Sequence, residues 1–197
     1  MCPRVQVPTM TDEDYAERIR EQRAEKETYF AEHPRSPVPQ HADFAGLDFF
    51  AVDPAYRYEL PLDEHDDKES VTVETTADGS QEYVRWGEFN FDVDGEVVTL
   101  QAYKPAAGED RFWVPFRDET NDEETYGAGR YLDLEPDRHQ TADGTWILDL
   151  NQAYNPTCAY NAAYECPLIP MANWLDVRVE AGEKAYPGEP IGHDGDH

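Results

Sequence analysis

The sequence predicts an α+β fold, mostly antiparallel β: a sandwich or barrel-like sheet with one N-terminal helix packed on it. Three observations carry this. Residues 12–32, DEDYAERIREQRAEKETYFAE, form an unbroken helix-forming run between a capping threonine and a proline. From Tyr56 onward apolar residues recur at every second position, the period of a strand with one buried face. Asp-Gly pairs at 78–79, 94–95 and 143–144 punctuate these runs as hairpin turns do.

Taken in order, Thr11 caps the helix, Asp12, Glu13 and Asp14 complement the positive end of its dipole, and Pro34 stops it. Its apolar stripe is thin, only Tyr15, Ile19 and then Tyr29-Phe30. Such a helix docks along one narrow seam, the expectation here, or serves as an arm for another subunit. PRSPVPQ, residues 34–40, is a stiff linker, and FAGLDFFAVDPAYRY behind it is apolar enough to wrap onto a core. Strand patterns follow in Tyr56-Tyr58-Leu60-Leu62, Val71-Val73-Thr75, YVRWGEFNFDV, VVTLQAY, RFWVPF, RYLDLE, TWILDLN and WLDVRVEAG, which makes eight or nine short strands. The organisation is therefore helix and linker over residues 1–40, a β-rich core over 41–184, and a loose Gly/Pro-rich tail over 185–197.

With 43 acidic against 16 basic residues, the formal net charge is -27, and lysine occurs only at 26, 68, 104 and 184. Acidity of this degree suits disorder, but 12% of the chain is aromatic and much of that lies in alternating runs. A folded protein tolerates the self-repulsion where salt screens it, since the Debye length falls to about 3 Å at 1 M. The composition matches the cytosol of a salt-in haloarchaeon. It disfavours nucleic acid and anionic membranes, which require a basic patch. No run of about 18 apolar residues is present, and MCPRVQVPTM has neither a signal-peptide core nor an apolar stretch ahead of Cys2 for a lipoprotein anchor, so a cytoplasmic location is expected.

Two segments carry chemistry. In FRDETNDEETYGAGRYLDLE, residues 116–135, Gly127 and Gly129 allow a sharp turn that gathers Tyr126, Arg130 and Tyr131. In so acidic a chain, Arg117 and Arg130 suit planar, bidentate work, either a structural ion pair with Asp118, Glu119 or Glu124, or a clamp on an anionic ligand. The second segment, DLNQAYNPTCAYNAAYECPLIP (149–170), holds two of the three cysteines and echoes Ala153-Tyr154-Asn155 in Ala159-Tyr160-Asn161. Asn155 and Pro156 read as N-cap and first residue of a helix of one to two turns over 156–165. Continued to Cys166, it would set the cysteines about 12 Å apart at about 1.5 Å per residue. A disulfide requires Cα atoms within roughly 7 Å, hence a chain reversal before Cys166.

The plain reading of Cys158 and Cys166 is a pair of buried free thiols. Their spacing is not that of a zinc site, which leaves them weak metal candidates. Cys158 gains some nucleophilic character from a first helical turn, with His33, His41, His65 or His139 as a base approaching in space. Tyr154, Tyr160 and Tyr164 suit core positions with paired hydroxyls. Glu64-His65-Asp66-Asp67 reads as a solvated loop, and His193, Asp194, Asp196 and His197 as a solvated tail that picks up metal only adventitiously. No phosphate loop, Ser-His-Asp or H-E-x-x-H pattern is present.

Together, FRDETNDEETYGAGRYLDLE, LDLNQAYNPTCAYNAAYECPLIP and a closing AGEK resemble the DUF1684-type family of unknown function, found in haloarchaea and many bacteria. The resemblance covers nearly the whole chain, and the shared signature maps onto Phe116, Arg117, Asp118, Thr120, residues 124–132, Asn155, Pro156, residues 158–161, Cys166 and Pro167. The chain departs from it at Thr157 (usually aromatic), Ala162 (usually proline), Asp122 (usually glycine) and across residues 169–173. The resemblance implies a common fold unit and no transferable activity. It also implies that both arginines, both cysteines and the Asn/Tyr block form one constellation.

The expectation is thus a pocket for a small anionic or polar molecule, built from segments 116–131 and 149–167. Arg117 and Arg130 would clamp the ligand, Tyr126, Tyr131 and Tyr160 would wall it, and Asn151, Asn155 and Asn161 would orient it. No cofactor is evident, and nothing in the sequence specifies an oligomeric state. The alternatives are an enzyme of unassigned class with Cys158 as nucleophile, or with Cys158 and Cys166 as a redox or metal pair, and a purely structural domain whose helix pairs with a partner.

Overall fold

A computed structural model describes residues 10–39, 42–105 and 108–192; the readings of Cys2, His41 and the His193–His197 cluster fall outside them. Helix α1 spans Asp12–Glu32. The Thr11 hydroxyl accepts the Asp14 N–H at 3.1 Å while the Asp14 carboxylate accepts the Thr11 N–H at 3.2 Å, a reciprocal capping box.

The helix lies on the β-body through Tyr15, Ala16, Ile19 and Phe30. The gap in its apolar stripe is filled by two cations. Arg23 donates to the carbonyls of Phe50 and Asn151 at 2.7 and 3.1 Å, and Lys26 reaches the buried carboxylate of Glu183 at 2.6 Å. Tyr29, expected to face inward with Phe30, is 40% exposed and stacks on His33. Adjacent helical residues diverge by about 100°, so on this seam only one of the two faces the body.

Seven strands follow among the described residues: β1 (Arg57–Leu60), β2 (Asp63–Glu74), β3 (Ser80–Val93), β4 (Glu96–Pro105), β5 (Phe112–Phe116), β6 (Arg130–Leu134) and β7 (Trp146–Asp149), with a one-turn helix α2 (Pro136–His139) between the last two. Strands β2-β3-β4-β5-β6 form one antiparallel sheet in that order, and β1 pairs with β7 in a second. The architecture is a sandwich-like α+β fold and not a closed barrel. At the β3–β4 hairpin Asp94 and Gly95 both take positive φ, 52° and 90°, as a two-residue turn requires.

Strand alternation builds the main core from Phe89, Phe91, Val93, Leu100, Val114, Phe116, Leu132 and Leu134 against Trp146, Leu148 and Leu150. The opposite face of the large sheet carries a second, aromatic cluster of Tyr83, Tyr103, Trp113 and Tyr131. A third, with Phe30, Val38 and Tyr160, lies under the helix.

Three expectations change. Segment 174–182 keeps its period-two burial, with Leu175, Val177, Val179 and Ala181 inside, but it forms no strand. Its backbone bonds to the turn after β5 instead: Leu175 N–H to the Arg117 carbonyl, the Val177 carbonyl from Glu119 N–H, and Val179 N–H to the Asp118 carboxylate. The charge run at 64–67 is not a separate loop. It lies within β2, where the register to β3 jumps between Glu64 and Glu69 and lets the intervening residues bulge from the ladder. Residues 185–192 do not hang loose, because Ala185 N–H reaches the Glu124 carbonyl, Tyr186 packs on Tyr160, and Ile191 N–H reaches the Tyr160 carbonyl.

Candidate functional site

The two signature segments do meet. Tyr131 and Tyr154 exchange backbone hydrogen bonds at 2.9 and 3.0 Å, and the Tyr126 hydroxyl touches the Cys158 sulfur at 3.7 Å. Most of the expected site residues are closed into the interior, although Arg117 and Ala128 line a cleft of about 470 Å³ with Leu168, Ile169 and Pro170. Arg130, Tyr160, Asn151 and Asn155 are all at most 2% exposed, and Tyr131 is 7%.

The arginines part at β5. Phe116 pairs with Arg130 across β5–β6 and its ring lies 5.0 Å from the Arg130 guanidinium. Arg117 is the next residue, and successive residues of extended chain point to opposite faces. Arg130 therefore goes inward, where Nη2 pairs with Asp118 at 3.0 Å and donates to the Val179 carbonyl at 2.9 Å, while Nη1 serves the Ala181 carbonyl. Asp118 is equally buried, and its other oxygen accepts from Thr120 Oγ1 and Val179 N–H, both at 2.8 Å. Arg117 goes outward, over the Trp174 ring at 4.7 Å and 3.7 Å from Asp122. The ion pair with Asp118 is one of those the sequence offered. A shared clamp is excluded by the pleat.

The glycine turn distributes its neighbours. Gly129 has φ +94°, and a Cβ there would stand 2.6 Å from the Phe116 carbonyl, so only glycine fits. Asp122 also takes positive φ, 66°. Tyr126 joins the cluster beneath the helix, and Tyr131 the aromatic cluster, with its hydroxyl on the Pro167 carbonyl. The amides are engaged inside the fold. Asn151 bridges Tyr15 and the Asp53 backbone, Asn155 donates its backbone N–H to Glu183 and its Nδ2 to the Lys184 carbonyl while its Oδ1 is buried without a partner, and Asn161 donates to the Pro37 carbonyl. Tyr160 donates to Glu183.

In place of a helix over 156–165 there is a single 3-10 turn, Thr157–Ala159, preceded by Pro156. Asn155 does not cap it because its side-chain amide is held by the Lys184 carbonyl. The chain then reverses. Cys166 returns to Cys158, whose N–H donates to the Cys166 sulfur at 3.3 Å. Both are free and buried. Hydrogen bonds from Cys166 and Tyr126 lower Cys158 to about 7, while Cys166 is pushed up. Among the described residues no histidine is a hydrogen-bond partner of either thiol: His33 stacks on Tyr29, His65 meets Gln101, and His139 accepts from Glu135 N–H. No group of three or more His, Cys, Asp or Glu among them is arranged to hold a metal.

Another concave site lies next door, between α1 and the β6/β7 side of the body. It is a cleft of about 660 Å³ whose lining includes Arg18, Arg57, Arg138, His139, Asp149 and Tyr154. A smaller one of about 270 Å³, carrying Arg23 and Lys26, shares Gln22, Arg138, Gln152 and Tyr154 with it. Arg18 and Arg57 converge on the Tyr15 ring, at 5.8 and 5.7 Å from its centroid. Neither has a carboxylate within ion-pair distance among the described residues, and Arg57 Nε is buried without a partner. Asp149 is buried opposite Arg57 in the β1–β7 register but is occupied by Tyr15, Asn151 and Gln152. The sequence reading missed this group. Its arginines lie on α1, β1 and α2, far apart in the chain, and no local motif set them apart from the other arginines.

Residues 42–184 match the sequence profile of a family described as protein of unknown function (DUF1684). An uncharacterized Haloarcula marismortui protein, solved by solution NMR, is 42% identical; the match covers 87% of this chain and 95% of that one with a TM-score of 0.65. No functionally curated protein matches the chain. No helix among the described residues is long and apolar enough to cross a membrane.

Proposed function

This chain belongs to the DUF1684 family of unknown function, and from that premise we propose that it binds a small carboxylate or phosphate anion in the cleft between α1 and the β6/β7 face, within a salt-rich cytosol. One observation carries the reading. In a chain with 43 acids and 16 bases, Arg18, Arg57 and Arg138 face one cleft with His139, and two of them lack an ion-pair partner. A cation left unpaired amid such an excess of carboxylates is held back from them by the fold.

Molar salt selects what can bind. Long-range attraction is screened within about 3 Å, and chloride competes for any single positive charge. A ligand therefore needs two or more oxygens engaging guanidinium forks directly. Glu25 and Glu135, also in the lining, add acceptors for hydroxyl or amino groups of the same molecule.

Isothermal titration of the full chain in molar KCl with inorganic phosphate and with citrate tests this. Saturable binding is expected for at least one probe. Arg57→Ala should weaken it about tenfold, the worth of one charge-assisted hydrogen bond of about 1.5 kcal/mol. No saturable heat with either probe, or undiminished binding in Arg57→Ala, would overturn the assignment.

A further inference from the structure

The thiols carry a second inference, independent of the cleft. Three elements bring them together. The turn Thr157–Ala159 presents the Cys158 N–H and sulfur toward the reversed chain. Cys166 is pinned to the end of β2, its N–H donating to Thr76 Oγ1 at 3.1 Å and its carbonyl accepting from Thr76 N–H at 2.9 Å. Thr75 holds the neighbouring Glu165 carboxylate. On the far side, the Tyr126 hydroxyl is at the Cys158 sulfur.

Structural cysteines usually pack as small hydrophobes and are inert. Here the Cys166 sulfur receives the backbone N–H of Cys158, and the Cys158 sulfur meets a phenol. The lower Cys158 pKa follows from those donors and adds to the geometry. Cys158 is 9% exposed against 6% for Cys166, which makes it the more accessible of the pair.

We infer that Cys158 and Cys166 form a peroxide-sensitive dithiol that closes to an intramolecular disulfide. The Cys158 thiolate attacks one oxygen of a hydroperoxide, the O–O bond breaks, and the departing oxygen leaves with a proton as water or an alcohol. Cys158 is then a sulfenic acid. The Cys166 sulfur attacks that sulfur, the S–O bond breaks, and hydroxide leaves with the Cys166 proton as water. With hydrogen peroxide the balance is two thiols plus one peroxide giving one disulfide plus two waters. Closure must bring the sulfurs to the roughly 2.0 Å of an S–S bond, and the chain reversal already places the Cys158 N–H 3.3 Å from the Cys166 sulfur.

The test uses the full chain with Cys2→Ser, so that only the pair reports, in molar KCl with hydrogen peroxide. Intact mass should fall by two hydrogens without dimerisation, and non-reducing peptide mapping should link Cys158 to Cys166. With Cys166→Ser added, dimedone should label Cys158 as sulfenic acid; with Cys158→Ser added, Cys166 should stay unlabelled. Oxygen added to both cysteines without a cross-link, a disulfide between two chains, or reaction only after unfolding in urea would each overturn the inference. The parent mass shift decides it even where a serine variant fails to fold.

Discussion

Replacing Arg130 by alanine separates a ligand clamp from a structural cation most sharply. Arg130 and Asp118 are both without solvent contact, and the guanidinium also serves the carbonyls of Val179 and Ala181. The substitution strands a buried carboxylate, which costs about 3–5 kcal/mol. It also orphans two carbonyls at about 1–3 kcal/mol each, terms that overlap and do not add in full. A net loss of at least about 4 kcal/mol is expected. For a chain of this size that corresponds to a drop in Tm of roughly 8–16 °C, at about 2–4 °C per kcal/mol. Urea unfolding followed by circular dichroism, at two KCl concentrations, measures it. Because the pair does not meet solvent, added salt should leave the difference unchanged. Glu69→Gln breaks the half-exposed pair with Arg85 at 2.9 Å and should cost under about 1 kcal/mol. A loss below about 1 kcal/mol in Arg130→Ala, or one that salt abolishes, would refute the buried-pair reasoning and return Arg130 to the solvent side.

The helix contact gives another expectation. Lys26→Met leaves the buried Glu183 with only Tyr160 and Asn155 as donors, so thermal unfolding should show a loss of about 2–4 kcal/mol; a variant as stable as the parent would mean that α1 docks through its apolar residues alone. Thiol titration supplies the pH dependence. A lowered pKa means more thiolate at neutral pH, so iodoacetamide should modify Cys158 with a rate that rises through about pH 7, below the ordinary thiol value near about 8.5, while Tyr126→Phe moves that midpoint upward. Equal rates at Cys158 and Cys166, or an inflection at the ordinary value, would contradict the donor arrangement.

How far the sequence can be read depends on which residues must cooperate. The capping box at Thr11 and Asp14 and the Asp94-Gly95 turn are local, and both stand where their residue types place them. Segment 174–182 shows the limit of periodicity. Alternating burial was legible, but a strand also needs a neighbouring strand to bond, and its neighbour is the turn around Asp118. The Asn155-Pro156 helix start failed for a similar reason, because Glu183 and Lys184, close to it only in space, took the asparagine. Arg117 and Arg130 were legible as important and not as opposed, since the pleat that separates them depends on the pairing of Phe116 with Arg130.

What the sequence determined by itself was the helix, the antiparallel class and the family, beside a net charge of -27. All of these depend on composition, near neighbours or long contiguous motifs. The tertiary structure alone decided which cations are spent and which are free. Arg23, Lys26 and Arg130 are consumed by partners that the fold brings from distant segments. Arg18 and Arg57 are kept from carboxylates and turned to one cleft. It also decided that Cys158 and Cys166 touch, through a reversal that follows from where β2 ends and not from the eight residues between them.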